Sequence, residues 1–302
     1  MRRAAAVLAV AALGLSGCAG ADAVADEPQI VVTTNILGDV VENVVGDEAA
    51  VTTLMRPDAD PHSFEISAQE AAAIGDADLV VSNGLGLEEG LQQHLDQAAG
   101  EGADILAAGD AIDVLSYTEG DAEGAPDPHL WTDPARMLDV VDAVEGAVVA
   151  VDGVDDAAIR SRADDYREEL RELDAEMTAA FEAIDEADRA LVTNHHVFGY
   201  LAERFGFRVV GAVIPGGTTL AAPSAADLRE LATAIEDAGV RTIFAESSQP
   251  DRLVQVLADE AGIDVDVVEL FTESLTEPGE GADTYLTMMR ANTERIAQGL
   301  KN

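Results

Sequence analysis

The sequence predicts an α/β fold with two similar lobes, each a parallel sheet flanked by helices, joined by one long rigid helix. Short apolar runs rich in β-branched residues alternate with helical patterns, and this alternation occurs in two separate blocks. Between the blocks lies a long stretch that has helical periodicity and contains no glycine or proline. Because strand–helix alternation places helices on the faces of a parallel sheet, each block predicts one such sheet.

The first block is predicted as an N-terminal lobe over residues 29–156 and the second as a C-terminal lobe over residues 186–302. Ser224 and Asp227 form a capping-box-like start for one helix of the second block. In the first block the candidate strands are 29–34, 50–54 and 78–82, and the candidate helices lie near 36–45, 67–75, 87–99 and from about Ala135. In the second block the candidate strands are 190–193, 207–213, 241–245 and 264–270, and the helices lie near 197–205, 224–238, 250–261 and 282–299.

The segment between the blocks, residues 157–185, predicts one stiff helix. At 1.5 Å per residue such a helix reaches roughly 40 Å, the size of a small domain. We interpret it as a linking rod between the lobes; the alternative is an ordinary packing helix within a single domain. Its apolar residues are spaced 4, 3, 4, 4 and 3 apart and so share one helix face: Tyr166, Leu170, Leu173, Met177, Phe181 and Ile184.

The N-terminus predicts a lipoprotein signal peptide over residues 1–17. Two arginines precede an apolar run over 4–15, which is too short to span a bilayer as a permanent helix. The run ends in L-S-G-C, which resembles a bacterial lipobox, so Cys18 is the predicted lipidation site and 18–28 the tether. We therefore expect an extracytoplasmic protein, lipid-anchored to the cell membrane. The alternative is an ordinary secretory signal with an incidental cysteine.

The charge of the chain excludes one class of partner. It carries 59 acidic and 17 basic residues, for a net charge of -42. A surface this negative repels nucleic-acid backbones and anionic membranes and attracts cations, so no nucleic-acid partner is expected. The acidic residues are spread along the whole chain, which indicates that most of them simply form a solvated surface.

Two of the five histidines come after predicted strands, one in each block. His62 lies in the loop after the strand at 50–54, and His195 follows the strand at 190–193. In open α/β sheets, ligand sites form just beyond the carboxyl ends of strands. His62 and His195 therefore occupy the expected edge of the sheet, one in each lobe.

Two further candidate ligands complete a possible metal site. His129 lies in the proline-framed loop APDPHLWTDP, and Glu273 lies beyond the last predicted strand in LFTESL. Three imidazoles and a carboxylate suit a divalent transition metal, Zn²⁺ above all, with Mn²⁺ as the alternative. No single spacing among these residues is a zinc signature, so the residues alone leave the assignment open.

Four motifs resemble, in order, the ligand motifs of the ZnuA-like and TroA-like zinc/manganese-binding solute receptors of ABC importers. They are DPHSFEIS, DPHLWTDP, TNHHVFGYLAERFG and LFTESL, and the similarity runs from about residue 29 to 299. The resemblance implies two α/β lobes with a divalent metal ion in the cleft, and a cognate ABC permease and ATPase as partners. Carried over by position, the ligands are His62, His129, His195 and Glu273.

The chain departs from the family pattern at two of these positions. Glu273 stands where the family usually has aspartate, which leaves the metal preference open. His196 stands where aspartate is common; we interpret it as a surface residue or a residue behind the ligands, with a transfer site at the cleft mouth as the alternative. Glu246, at the end of a predicted strand, is a candidate for tuning the site electrostatically. Glu65, three residues after His62, is a candidate supporting or structural residue.

Two other classes of function compete with a receptor. A metal held by three histidines activates water if one coordination position stays open, as in a metal-dependent hydrolase. The chain has no H-E-x-x-H motif, evident general base or nucleophile triad, and a fourth carboxylate ligand closes a tetrahedral shell, so we predict no enzyme activity. A surface adhesin is the remaining alternative. Zinc receptor is the prediction, and manganese receptor is the alternative within the same family.

Overall fold

The computed structural model describes residues 27–118, 122–214, 216–248, 254–255, 257 and 265–301. The predicted signal peptide, Cys18 and most of the predicted tether lie outside these residues. Within the described ranges, no helix combines the length and apolar character that crossing a membrane requires.

The first lobe is built on a four-stranded parallel sheet with strand order β2-β1-β3-β4. Its register pairs Ile30 with Val51 on one side and with Leu79 on the other. The strands are β1 (Gln29–Val32), β2 (Ala50–Thr53), β3 (Leu79–Ser82) and β4 (Ile105–Ala107). The helices are α1 (Asn35–Val45), α2 (Ala68–Asp76), α3 (Gln92–Glu101) and α4 (Pro134–Val149).

Two features of this lobe differ from the sequence prediction. The sheet has a fourth strand, β4, which at three residues is too short to produce a recognisable pattern. The helix predicted over 87–99 begins only at Gln92. The chain before it turns repeatedly, because Gly84 and Gly86 have positive φ, and a Cβ on Gly90 would lie 2.5 Å from the Phe64 carbonyl oxygen.

The second lobe repeats the same parallel architecture, with strand order β6-β5-β7-β8. Ser224 caps its second helix through the predicted capping box with Asp227. The helix predicted over 250–261 lies mostly outside the described residues. The strands are β5 (Ala190–Thr193), β6 (Arg208–Ala212), β7 (Thr242–Glu246) and β8 (Asp266–Leu270). The named helices are α6 (Gly199–Phe205), α7 (Ala225–Ala238) and α8 (Tyr285–Gly299).

The linking helix α5 (Asp156–Glu182) has 27 residues, which corresponds to a length of roughly 40 Å. The Asp155 side chain caps its first turn by accepting from the N–H groups of Ala157 and Ala158. All the apolar residues predicted for its inner face are buried. That face packs against α1 and α4 of the first lobe and against α6 and α8 of the second. One hydrophobic core therefore runs through both lobes along α5, and the predicted fold class is confirmed.

Candidate metal centre

Four side chains from the two lobes converge at the carboxyl edges of the sheets. His62 follows β2 and His129 precedes α4, so both come from the first lobe. His195 directly follows β5 and Glu273 lies just beyond β8, so both come from the second lobe. All four residues are buried, and one ligand atom from each lies within 4.8 Å of the others. The structure thus brings together the four ligand candidates of the sequence analysis.

Five of the six separations between the ligand atoms match those of a small tetrahedron, and all four atoms lie within 4.8 Å of one another. The Glu273 Oε1 atom lies 3.0, 3.3 and 3.2 Å from the Nε2 atoms of His62, His129 and His195. The His129 Nε2 atom lies 3.4 Å from that of His62 and 3.2 Å from that of His195. An ion with four ligands at about 2.0–2.1 Å separates neighbouring ligand atoms by roughly 3.3–3.4 Å. The four atoms therefore enclose a space that suits a four-coordinate dication.

Two of the three imidazoles have a buried carboxylate behind them. The Nδ1 atom of His129 lies 2.8 Å from Asp127 Oδ1, and the Nδ1 atom of His195 contacts Glu246 Oε1. Each carboxylate accepts the Nδ1 proton, which leaves the Nε2 lone pair facing the centre and fixes the ring orientation. Burial raises the pKa of Glu246, although the neighbouring His195 opposes that shift.

Asp127 was not identified from the sequence, yet a signal for it was present. It belongs to a D-P-H triplet that occurs twice, at 60–62 and 127–129. In both copies the aspartate Oδ1 accepts the backbone N–H of the histidine, at 2.9 Å for Asp60 and His62 and at 3.0 Å for Asp127 and His129. The aspartate therefore fixes the backbone of the ligand loop in both places.

The pKa values at the centre reflect charges packed away from water. Burial lowers the pKa of His129, but its contacts with Asp127 and Glu273 outweigh that effect and raise it overall. Burial likewise opposes charge on His195, while Glu246 and Glu273 together raise its pKa well above the ordinary value. Burial favours the neutral form of Glu273, but the surrounding imidazoles hold its pKa well below the usual range. Because the pKa values of His129 and His195 are raised, a metal ion competes with protons for these two imidazoles when it binds.

The remaining candidates from the sequence lie outside the group of four ligands. His196 is half-buried, and its ring lies edge-on to that of Tyr117 with the ring centroids 6.3 Å apart. With Tyr117 and Asp127 it lines a neighbouring cavity of about 350 Å³. Glu65 is exposed to solvent.

Hydrogen bonds between the lobes surround the centre. The Trp131 indole N–H donates to the Thr272 carbonyl at 2.8 Å, and the Tyr285 hydroxyl donates to the Trp131 carbonyl at 2.7 Å. The Asn35 side-chain amide donates to Ser274 Oγ at 2.8 Å. These bonds tie the segment that carries Glu273 to the first lobe, so ligands from both lobes are held in one place.

A carboxylate in the fourth position leaves no open site for water, which suits a protein that carries an ion rather than one that transforms a substrate. The fold and this closed centre define a two-lobed metal-binding protein. Comparison with known proteins identifies the family. Residues 30–299 match the family described as zinc-uptake complex component A, periplasmic, and the chain belongs to that family. It is therefore a metal-binding solute receptor of an ABC importer, a class that has no enzyme activity.

The similar proteins are named for one of two metals, manganese or zinc. The manganese-binding lipoprotein MntA of Halalkalibacterium halodurans is 28% identical over 298 residues, covering 97% of each chain. The zinc-binding protein TroA of Treponema pallidum is 31% identical over 287 residues, covering 92% of this chain and 91% of TroA.

Solved structures agree with this assignment. That of the periplasmic zinc-binding TroA superposes with a TM-score of 0.84 at 30% identity, covering 91% of this chain and 99% of that one. A manganese-bound periplasmic metal-binding protein from Candidatus Liberibacter asiaticus gives a TM-score of 0.80 at 26% identity, covering 91% of this chain and 100% of that one. The buried centre thus binds a divalent metal ion, zinc or manganese.

Proposed function

We propose that the chain is an extracytoplasmic zinc receptor that captures the ion between its lobes and delivers it to an ABC permease and its ATPase. The tetrahedral arrangement of three Nε2 atoms and one carboxylate oxygen carries the choice of zinc. Zinc is commonly held by four ligands and binds imidazole well, whereas manganese suits carboxylate, carbonyl and water ligands. The match to the zinc-uptake family supports the same choice.

Manganese is the second candidate, and one atom favours it. Glu273 Oε2 is buried and has no hydrogen-bond partner among the described residues. If both carboxylate oxygens coordinate the ion, the site gains a fifth ligand and a second oxygen, which suits manganese better than zinc. The names of several relatives, such as the lipoprotein MntA, also support this alternative.

Two measurements on the mature, metal-stripped protein separate the candidates. Competitive titration gives the affinities for zinc and manganese, with His94→Ala as a control because His94 is exposed on α3. Nitrogen and oxygen sites prefer zinc to manganese in general, so the titration is paired with X-ray absorption, which counts the ligands. We expect tighter zinc binding and four ligands, three nitrogen and one oxygen. Five or more ligands with two carboxylate oxygens would overturn the zinc assignment.

The proposed location rests on Cys18 at the end of the L-S-G-C sequence. We expect Cys18→Ser to move the protein from the membrane fraction to the soluble extracytoplasmic fraction, because lipid chains supply the anchoring. Wild-type protein, fractionated in parallel with and without detergent, is the control. A Cys18→Ser protein that stays in the membrane fraction contradicts the lipid anchor.

A further inference from the structure

His62 differs from the other two histidine ligands in what lies behind its ring. His129 and His195 each have a buried carboxylate at Nδ1. The Nδ1 atom of His62 is also buried but has no hydrogen-bond partner among the described residues. The carboxylate that faces it is Glu89, whose Oε1 atom lies 3.8 Å away and whose side chain is 44% exposed.

A loop of the second lobe holds the groups on both sides of His62. In this crossing loop, residues 216–220, the Thr218 hydroxyl donates to Glu89 Oε1 at 2.7 Å. The next hydroxyl, that of Thr219, donates to Asp60 Oδ2 at 2.6 Å. Asp60 in turn accepts the backbone N–H of His62 through its other oxygen. The crossing loop therefore contacts two groups that flank His62: Glu89, which faces the His62 ring, and Asp60, which accepts the His62 backbone N–H.

We propose that Glu89 is the carboxylate that positions the His62 ring. The crossing loop holds the Glu89 side chain beside His62 and so controls release of the metal. When Nε2 binds a metal, Nδ1 keeps its proton and needs an acceptor behind the ring, as at His129 and His195. A movement of about 1 Å by the Glu89 side chain brings the 3.8 Å separation into hydrogen-bond range. The proposal rests on metal binding by the centre and holds for zinc and manganese alike.

The exposure of Glu89 indicates where the ion leaves. The carboxylates behind His129 and His195 belong to Asp127 and Glu246, which are each 2% exposed. Water therefore reaches Glu89, the carboxylate behind His62, more easily than it reaches Asp127 or Glu246. Loss of the Thr218 bond frees Glu89, and His62 then loses the acceptor that orients it. Release of the metal is thus expected to begin at His62 and to depend on the crossing loop.

Metal dissociation rates test this order of events. Zinc-loaded protein is mixed with excess chelator, and the release rate is compared among wild type, Glu89→Ala, Glu89→Gln, Thr218→Val and the double variant Glu89→Ala/Thr218→Val. Removing the support of a metal-bound histidine weakens binding by about 10–100-fold, so we expect Glu89→Ala to speed release at least about tenfold. Glu89→Gln keeps an acceptor oxygen and should lie between Ala and wild type. Exposed Glu101→Gln, on α3, is the matched control and should match wild type.

The double variant and a spectroscopic signal distinguish positioning from a merely structural bond. If the crossing loop acts on His62 through Glu89, the double variant releases metal no faster than Glu89→Ala alone. In nitrogen-15 NMR of the zinc-loaded protein, the His62 Nδ1 proton should be visible in wild type and exchange-broadened in Glu89→Ala. Release from Glu89→Ala within about twofold of wild type, or equal to that from Thr218→Val with an unchanged Nδ1 signal, overturns the proposal. Failure of the wild type to bind metal would instead overturn the receptor function.

Discussion

Replacing His195 with alanine should weaken metal binding strongly, whereas the same change at the adjacent His196 should alter it little. Structural zinc sites with four ligands bind with about 10–16 kcal/mol in total, or about 2.5–4 kcal/mol for each ligand. A loss of that size weakens the affinity roughly 10²–10³-fold. His195 supplies one of the four atoms of the tetrahedron, and it also faces the buried Glu246. His196 lies outside the tetrahedron against Tyr117.

Isothermal titration with a competing chelator measures both variants under one set of conditions. Thermal unfolding of the metal-free variants is the control, because a misfolded His195→Ala protein loses binding for an unrelated reason. Equal losses of affinity at the two positions would refute the ligand assignment. A loss at His195 below about tenfold would refute the view that each ligand carries a comparable share of the binding energy.

Four further predictions follow from the charges, the shared centre and the linking helix. Because the pKa values of His129 and His195 are raised in the metal-free protein, proton competition should weaken zinc binding as the pH falls, which zinc titration across about pH 5.5–8.5 measures. The same raised pKa values stabilise the metal-free fold, fully below the unfolded histidine pKa of about 6.5, and this contribution is lost as the pH rises through the folded pKa values. Calorimetry of the metal-free protein should show that decline. If only the zinc-loaded protein were stable in acid, the sign of the effect would be wrong. Zinc at a thousandfold excess over Kd should raise the free energy of unfolding by about 4 kcal/mol at neutral pH. The radius of gyration measured by small-angle scattering should stay unchanged on zinc binding, and a marked contraction would contradict a rigid α5. Leu170→Ala, which empties a fully buried position in α5, should cost about 2–5 kcal/mol in chemical unfolding, whereas the exposed control Arg171→Ala should cost little.

The parts of the fold that could be predicted are those whose pattern is local. The apolar runs of the strands and the regular spacing along α5 repeat within a few residues, so they are visible in the sequence alone. The sequence does not predict strand β4, because three half-buried residues at a sheet edge show no periodicity. The predicted start of α3 is too early, because leucines in a glycine-rich turn resemble the first turn of a helix.

The site, like the fold, has residues that the sequence predicts and contacts that it does not. The ligands were predictable because each follows a strand or lies in a motif that resembles a known family. The partners behind the ligands depend on distant contacts. The Thr218–Glu89 bond joins residues 129 positions apart, and nothing near either residue in the sequence indicates the other. Asp127 lay between these cases, since its triplet is local but its contact with the His129 ring requires the folded loop.

The hydrophobic core that runs through both lobes along α5 has a consequence for the transporter. Separating the lobes widely would expose that apolar surface to water, so empty and loaded receptors should present nearly the same outline to a permease. A permease that recognises only the overall shape of the receptor would bind the empty and the metal-loaded receptor alike. Empty receptors then act as competitive inhibitors of import, and the flux of metal into the cell follows the loaded fraction of the receptor pool rather than its size.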